Sequence, residues 1–264
     1  MRAFTRVSLF VGFIAIGLSH VNALEVPEAN YPALPKSALS AEGFVPQGWM
    51  IEIQEQGDLN QDGISDMLLV LSQDDPANVV ANEPDSLGLR EIDTNPRILF
   101  VAFGRKKGGY ELALENHDFI PRYDTPTIDD PFGRAGIVDG RIEVGLHYWA
   151  NAGSWYTDDR AFIFMYRDGA FRLVGYKDFT TKRNTGETWD LSIDYLASEA
   201  EITLGSFSDD AIQDKTYKKP LPSSPLSTIE ELGSGWEYRP EQADISWWGL
   251  REMDSEDLGS TEEQ

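Results

Sequence analysis

Cysteine is absent from the 264-residue chain, which excludes disulfides, a lipidated cysteine, a cysteine nucleophile and a Cys-based metal centre. Histidine is nearly absent, with His20, His117 and His147 alone, so histidine-dependent acid–base or nucleophilic chemistry has few places to reside. Basic residues are scarce: 22 Lys+Arg face 45 Asp+Glu, a formal charge of −23. A protein gains affinity for a polyanion from cations that release condensed counterions, so nucleic acid is excluded as a partner and an anionic membrane surface is disfavoured. No Asn-x-Ser/Thr acceptor, Gly-x-Ser-x-Gly elbow or His-Glu-x-x-His motif occurs. What is present is apolar material, 41% hydrophobic and 11% aromatic residues, enough for one core of about 200 residues or two smaller ones.

Residues 1–23 read as an export signal. Arg2 and Arg6 supply the positive start, Val7 to Leu18 the apolar stretch and Val21-Asn22-Ala23 a small-residue cleavage site. The alternative, a membrane anchor, needs a span of about 20 apolar residues, longer than this stretch. Cleavage before Leu24 removes two arginines and no acid, which takes the charge from −23 to −25. Together with the missing cysteines and glycosylation acceptors, this points to a periplasmic or secreted bacterial protein with no membrane insertion after signal cleavage. An exported fold without disulfides needs rigidity from elsewhere, and a bound divalent cation is one source.

Residues 24–48 hold Pro27, Pro32, Pro35 and Pro46 and read as a Pro-rich, extended or irregular leading segment with at most one helical turn near 36–42. Ordered structure is expected from Phe44 or Trp49. Apolar runs bounded by turn residues at 49–53, 67–71 and 98–103 predict buried strands, and the acidic insert Ser72 to Arg97 predicts a surface loop. Further strands are predicted at 110–114, 141–149, 160–167, 170–176, 189–195 and 200–204. Asp168-Gly169 and Asp139-Gly140 supply the positive φ angles of tight hairpin turns. Helix is limited to 228–232, where Ser227-Thr228-Ile229-Glu230 has capping-box spacing and Gly233 a stop. Trp236, Trp247 and Trp248 are placed to dock a C-terminal arm, and the acidic stretch 252–264 is expected to be disordered. The expected fold is all-β, with about nine to eleven strands in antiparallel blade-like units, either a partial β-propeller or packed sheets, and one short C-terminal helix. Its β domain spans 49–207 and the arm 208–251.

The segment Gly57-Asp58-Leu59-Asn60-Gln61-Asp62-Gly63-Ile64-Ser65-Asp66 lies between two predicted strands. Asp58, Asn60, Asp62, the Ile64 carbonyl and Asp66 take positions 1, 3, 5, 7 and 9 of a loop that folds around a hard cation, and Gly63 permits the sharp turn at position 6. Ca2+ suits such an oxygen set better than magnesium, which demands near-octahedral order. Position 12 is Leu69, so this is no helix-loop-helix sensor. Without a bidentate ligand there, affinity is expected on the order of 10⁻⁴ to 10⁻³ M, in the extracellular range. A polar Asx-type turn without metal is the alternative reading.

These residues, with Ile98 to Tyr110 ending in Gly108-Gly109-Tyr110, resemble the FG-GAP or VCBS type of repeat of integrin-like propellers and bacterial surface proteins. The resemblance implies an aspartate-rich loop joining two strands of a blade and binding calcium. It covers roughly residues 48–114, with one loop copy where full propellers have several, and departs from the family by the insert 72–97.

A second feature is the aromatic run from His147 to Asp159, in which Trp149, Asn151, Trp155 and Tyr156 could form a ligand platform or plug the end of a β domain. Pairs of acids such as Asp93 with Asp159 can be imagined for glycoside hydrolysis, but Asp129-Asp130 and Asp158-Asp159 read more simply as solvated loop acids. The expected function is a non-enzymatic binding module for a protein or envelope glycan, with calcium mainly structural. An envelope polysaccharide hydrolase and an acidic inhibitor or immunity protein for a basic partner are the alternatives.

Overall fold

A computed structural model describes residues 24–208 and 213–249. The export signal 1–23, the last two residues of the arm and the acidic stretch 252–264 lie outside the described residues. The strands are β1 (Ser37–Ala38), β2 (Trp49–Gly57), β3 (Asp66–Gln73), β4 (Val79–Ala81), β5 (Glu91–Asp93), β6 (Arg97–Gly104) and β7 (Tyr110–Asn116). There follow β8 (Phe132–Val138), β9 (Arg141–Trp149), β10 (Tyr156–Arg167), β11 (Ala170–Lys182), β12 (Glu187–Asp194), β13 (Glu199–Ser206), β14 (Lys215–Pro220) and the helix α1 (Ile229–Leu232). The fold is all-β and antiparallel. Its strands form one five-stranded sheet, ordered β1-β7-β6-β3-β2, and one seven-stranded meander, β14-β13-β12-β11-β10-β9-β8, that curls into a half-barrel. Packed sheets, and not four-stranded blades, are the arrangement adopted.

The apolar runs of β3 and β6 are continuous because both faces of the five-stranded sheet are covered. Leu68, Val70, Leu99 and Val101 face the seven-stranded sheet and join its Val144, Leu146, Phe162 and Phe164 in one core. Met67, Leu69, Leu71, Ile98 and Phe100 face the other way, onto Leu34, Ala41, Phe44 and Trp49. The leading segment is therefore a cover for the outer face of the sheet, and ordered packing reaches back to Leu34, before the start expected at Phe44. Its helical turn falls at Ala41–Phe44, where Phe44 is fully buried against Phe100.

The half-barrel is filled by the chain's own C-terminal arm. Tyr238 packs on Phe162 and Tyr176 and shares a 2.8 Å hydroxyl contact with Tyr195. Ile229 and Trp248 are buried in the same core, and Trp248 Nε1 donates to the Gln242 carbonyl. The helix cap lies one residue later than the spacing predicts: Thr228 caps and Glu231 reaches back, because Ile229 is the apolar residue that the core takes. The insert 72–97 holds a small hairpin, β4 with β5, fixed by the buried amide pair Asn78 Nδ2 to Asn95 Oδ1 at 2.9 Å. Asp168 and Gly169 take φ values of 52° and 78°, and Asp139 and Gly140 values of 50° and 68°, as tight hairpin turns require.

One side chain ties the sheets together at their edge. Arg97 on β6 donates from Nε and Nη2 to Glu52 on β2, at 2.7 and 3.0 Å, and from Nη1 and Nη2 to Asp130 before β8, at 2.9 and 2.7 Å. The Phe132 ring lies under the guanidinium. Burial alone would lower the pKa of Arg97, but the two carboxylates raise it, so the clamp is permanently charged. Arg97→Met is expected to cost about 1–2 kcal/mol, since Glu52 and Asp130 can rehydrate, a melting-temperature drop of about 2–8 °C for a chain of this size. A thermal melt with no drop would show that the clamp contributes nothing.

Candidate functional site

The loop 58–65 joins β2 to β3, and its oxygens turn inward onto its own amides. Asp58 accepts from the amides of Asp62 and Gly63 at 3.1 and 2.9 Å, Asn60 Oδ1 from Asp62 at 3.0 Å, and Asp62 Oδ1 from Ile64 at 2.8 Å. Gln61 adopts φ 63° and Gly63 φ 81° to close this turn. Asp66 is apart from the rest. It is fully buried, and its Oδ2 accepts from Leu59 and Asn60 while its Oδ1 accepts from Gly104 at 2.9 Å. Gly104 allows this approach, since a Cβ there would stand 2.3 Å from the Ser65 carbonyl oxygen. Burial pushes the Asp66 carboxyl up and the three amides pull it back. Asp66 thus staples the loop to the end of β6. Among the described residues no three of His, Cys, Asp and Glu stand together as a metal group. Both Asp58 oxygens and Asn60 Oδ1 each accept one amide, Asp62 uses Oδ1 alone, and Asp66 Oδ2 accepts two amides, so Asp66 is the most heavily engaged of the four side chains.

The aromatic run is less of a loop than its composition suggests, since β9 runs through Trp149 and β10 begins at Tyr156. Trp155 and Tyr156 are 63% and 46% exposed and belong to neither core, so they are open to a ligand. Trp149 has one face covered by the Arg183 guanidinium, 4.5 Å from its centroid. Asn151 donates to Asp129 at 3.2 Å, and a bridge between Ile128 and Ala150 holds the loop base.

Tyr156 opens onto the concave face of the half-barrel. There it meets Trp189 from β12, with ring centroids 6.2 Å apart. The two rings border a cleft of about 520 Å³ whose polar lining is Asp178, Thr180, Lys182 and Asp244. Beneath it lies a charge cluster. Arg160, 2% exposed, donates to Asp158 at 2.8 Å and to the Trp236 carbonyl at 3.0 Å, and its Nε stands 3.8 Å from Asp178. Asp178 accepts from the hydroxyls of Tyr176 and Thr180 at 2.9 and 3.0 Å. Asp158 is therefore not the solvated loop acid expected from the sequence; it lies in a strand with its side chain 14% exposed. Burial pushes both carboxyls above the usual range and Asp158 adds to the rise of Asp178, while Arg160 works against it. The Tyr176 phenol is pushed up by burial and by Asp178. The imagined pair Asp93 and Asp159 have separate partners, Asn95 and His147.

Arg160, Asp178, Lys182, Arg183 and Trp189 carry no motif in the sequence. The signal available was the alternation Tyr176, Asp178, Thr180, Lys182, polar at every second position where a sheet face is expected to be apolar. No family model matches the chain, and no curated protein or solved structure matches it either.

A carboxyl whose pKa is raised by folding holds its proton more tightly folded than unfolded. Stability is then greatest below the unfolded value, about pH 4, and falls as the pH rises through the raised one. Asp178→Asn removes one such penalty, so its melting temperature is expected to exceed that of the parent at pH 7 and to converge with it near pH 4. An offset equal at both pH values would show that Asp178 titration is not coupled to folding.

Proposed function

We propose that this chain is an exported, non-enzymatic binding protein that holds a cell-envelope glycan in the mouth of its curled sheet, with a structural calcium ion in the loop 58–66. The observation that carries the binding reading is the meeting of Tyr156 and Trp189 beside Asp178, Thr180 and Lys182 in one cleft. Sugar rings have apolar C–H faces and a rim of hydroxyls, which suits half-exposed aromatic rings flanked by charged and hydroxyl groups. The raised carboxyls of Asp158 and Asp178 are what would favour the hydrolase alternative. Against it, both oxygens of Asp178 are engaged by hydroxyls and Asp158 is held by Arg160, so neither is a free acid poised over the cleft. Calcium would be held by Asp58, Asn60, Asp62 and the Ile64 carbonyl, where it offsets the repulsion among acids at the β2–β3 junction.

Two measurements test the parts separately. Tyr156→Ala is expected to weaken binding of neutral envelope oligosaccharides at least about tenfold, or about 1.4 kcal/mol, with the melting temperature nearly unchanged and no product released. Unchanged affinity would remove the cleft from the reading, and turnover that follows the pure protein would establish the hydrolase instead. For the ion, millimolar calcium but not magnesium is expected to raise the melting temperature of residues 24–264, and Asp58→Ala to abolish that rise. Asp66→Asn is expected to lower the melting temperature with or without calcium, because both Asp66 oxygens accept fixed backbone N–H groups and an amide NH2 would oppose one of them, unlike at Asp178, whose hydroxyl partners can turn to accept. A calcium response intact in Asp58→Ala would place the ion elsewhere.

A further inference from the structure

The cleft at Tyr156 does not end there. The same residue borders a second hollow of about 590 Å³, walled by residues 151–156 and by Arg183, the residue that follows β11. Arg183 is held rigidly. Its Nη2 donates to the carbonyls of Ala150 and Ser154, both at 2.6 Å, its backbone amide donates to Trp155, and its guanidinium lies on the Trp149 ring. None of these partners carries a negative charge. Among the described residues no carboxylate lies within 4.0 Å of Arg183; Arg122 and Arg172 are likewise held by carbonyls, but neither lines this hollow, whereas Arg97, Arg134 and Arg160 have carboxylate partners. Among the described residues its Nε is buried without a partner, as are those of Arg160 and Arg172, and its side-chain hydrogen bonds are made by Nη2 alone. A guanidinium keeps its charge at every accessible pH. Among the described residues it stands uncompensated at the wall of an open hollow, beside the exposed rings of Trp155 and Tyr156.

We propose that this second hollow is an acidic-sugar subsite, in which Arg183 takes the carboxylate of a uronic acid residue whose ring lies against Trp155 and Tyr156. The proposal rests on the glycan reading above and extends it from one cleft to two adjoining ones, so the ligand is an oligosaccharide and not a single sugar. With both Nη2 hydrogens on carbonyls and Nε buried, Nη1 is the donor left for a ligand, and a carboxylate gives it a charge-assisted hydrogen bond that a neutral sugar hydroxyl does not. Position on the Trp149 ring and the two carbonyl contacts fix the donor geometry before the ligand arrives, which lowers the ordering cost of binding. The chain's distant negative charge is screened beyond about 10 Å at 0.1 M salt, and the lining of the hollow itself, residues 151–156 and Arg183, holds no acid. The local pairing decides.

The probe pair is tetramannuronate and its carboxyl-reduced, neutral counterpart, titrated into the mature chain with tryptophan fluorescence or calorimetry as the readout. The acidic form is expected to bind at least about tenfold more tightly, Arg183→Gln to abolish that preference, and Arg183→Lys, which retains the charge without the planar fork, to keep part of it. Because Arg183 also holds the loop, Arg183→Gln could unfold it; the acid-to-neutral ratio of the unsubstituted protein and that of Arg183→Lys then stand as the test. Equal binding of the two forms, or a preference unmoved by both substitutions, overturns the subsite and leaves the glycan reading intact. Absence of tetramannuronate binding, with Tyr156-dependent binding of neutral oligosaccharides retained, does the same. Loss of all glycan binding overturns both.

Discussion

The ladder between β10 and β11 is the constraint on which the rest of the molecule depends. These are the two longest strands, and one residue interrupts their register: Ile163 pairs with Gly175 and Phe164 with Leu173, so Val174 has no partner. A one-residue shift exchanges the two faces of a strand. Before Val174 the inward positions of β11 are Phe171 and Leu173, and after it they are Tyr176, Asp178, Thr180 and Lys182. Without the bulge, Lys177, Phe179 and Thr181 would point into the half-barrel, and Phe179, now 44% exposed, would occupy the place of the charge cluster. The interior of the curled sheet is thus apolar at the hairpin end and polar at the other. That division is what makes a plugged core and an open cleft possible on one face.

Polar groups on the inner face of a sheet carry a desolvation cost, and here reciprocal contacts offset part of it, with Arg160 Nε left buried without a hydrogen-bond partner among the described residues. Arg160 opposes two carboxylates, the hydroxyls of Tyr176 and Thr180 occupy the oxygens of Asp178, and Tyr238 from the arm meets Tyr195. The arm contributes in two ways. It packs Tyr238, Ile229 and Trp248 into the core of the half-barrel, and its residues Ala243–Ile245 form one wall of the cleft. A buried network with raised carboxyls is less stable at neutral pH than an apolar plug of the same volume would be.

The two sheets differ in what covers them. The inner strands of the five-stranded sheet, β3 and β6, are closed on both faces, by the seven-stranded sheet on one side and by the proline-rich leading segment on the other. The seven-stranded sheet has its concave face covered by the five-stranded sheet and the arm, and its rim is open at the cleft. Arg97 fixes the edge at which the sheets meet, and Asp66 fixes the loop 58–65 to the same sheet from its other end. The exposed aromatic residues Trp155 and Tyr156 and the uncompensated Arg183 all lie at that open rim, and the rigid parts of the molecule surround it.

The amino-acid sequence alone determined the all-β class, the strands at 49–53, 67–71, 98–103, 141–149 and 160–176, the two Asp-Gly turns, the docking of the tryptophan-rich arm and the candidate oxygens of the loop 58–66. Each of these follows from local chemistry: apolar runs, positive φ at defined dipeptides, and oxygen side chains at fixed spacing. The cleft was not legible in the same way. Asp158 reads as one of two adjacent loop acids until Arg160 and Asp178 are brought beside it, and the sequence gives no warning of the bulge that turns Asp178 inward. Whether a proline-rich segment covers a sheet or trails from it, and whether Arg183 finds a carboxylate or only carbonyls, depends on which residues distant in the chain become neighbours. Local periodicity assigns elements because backbone sterics act over a few residues. Tertiary structure decides register, cover and charge pairing because these are set by contacts across tens of residues of chain.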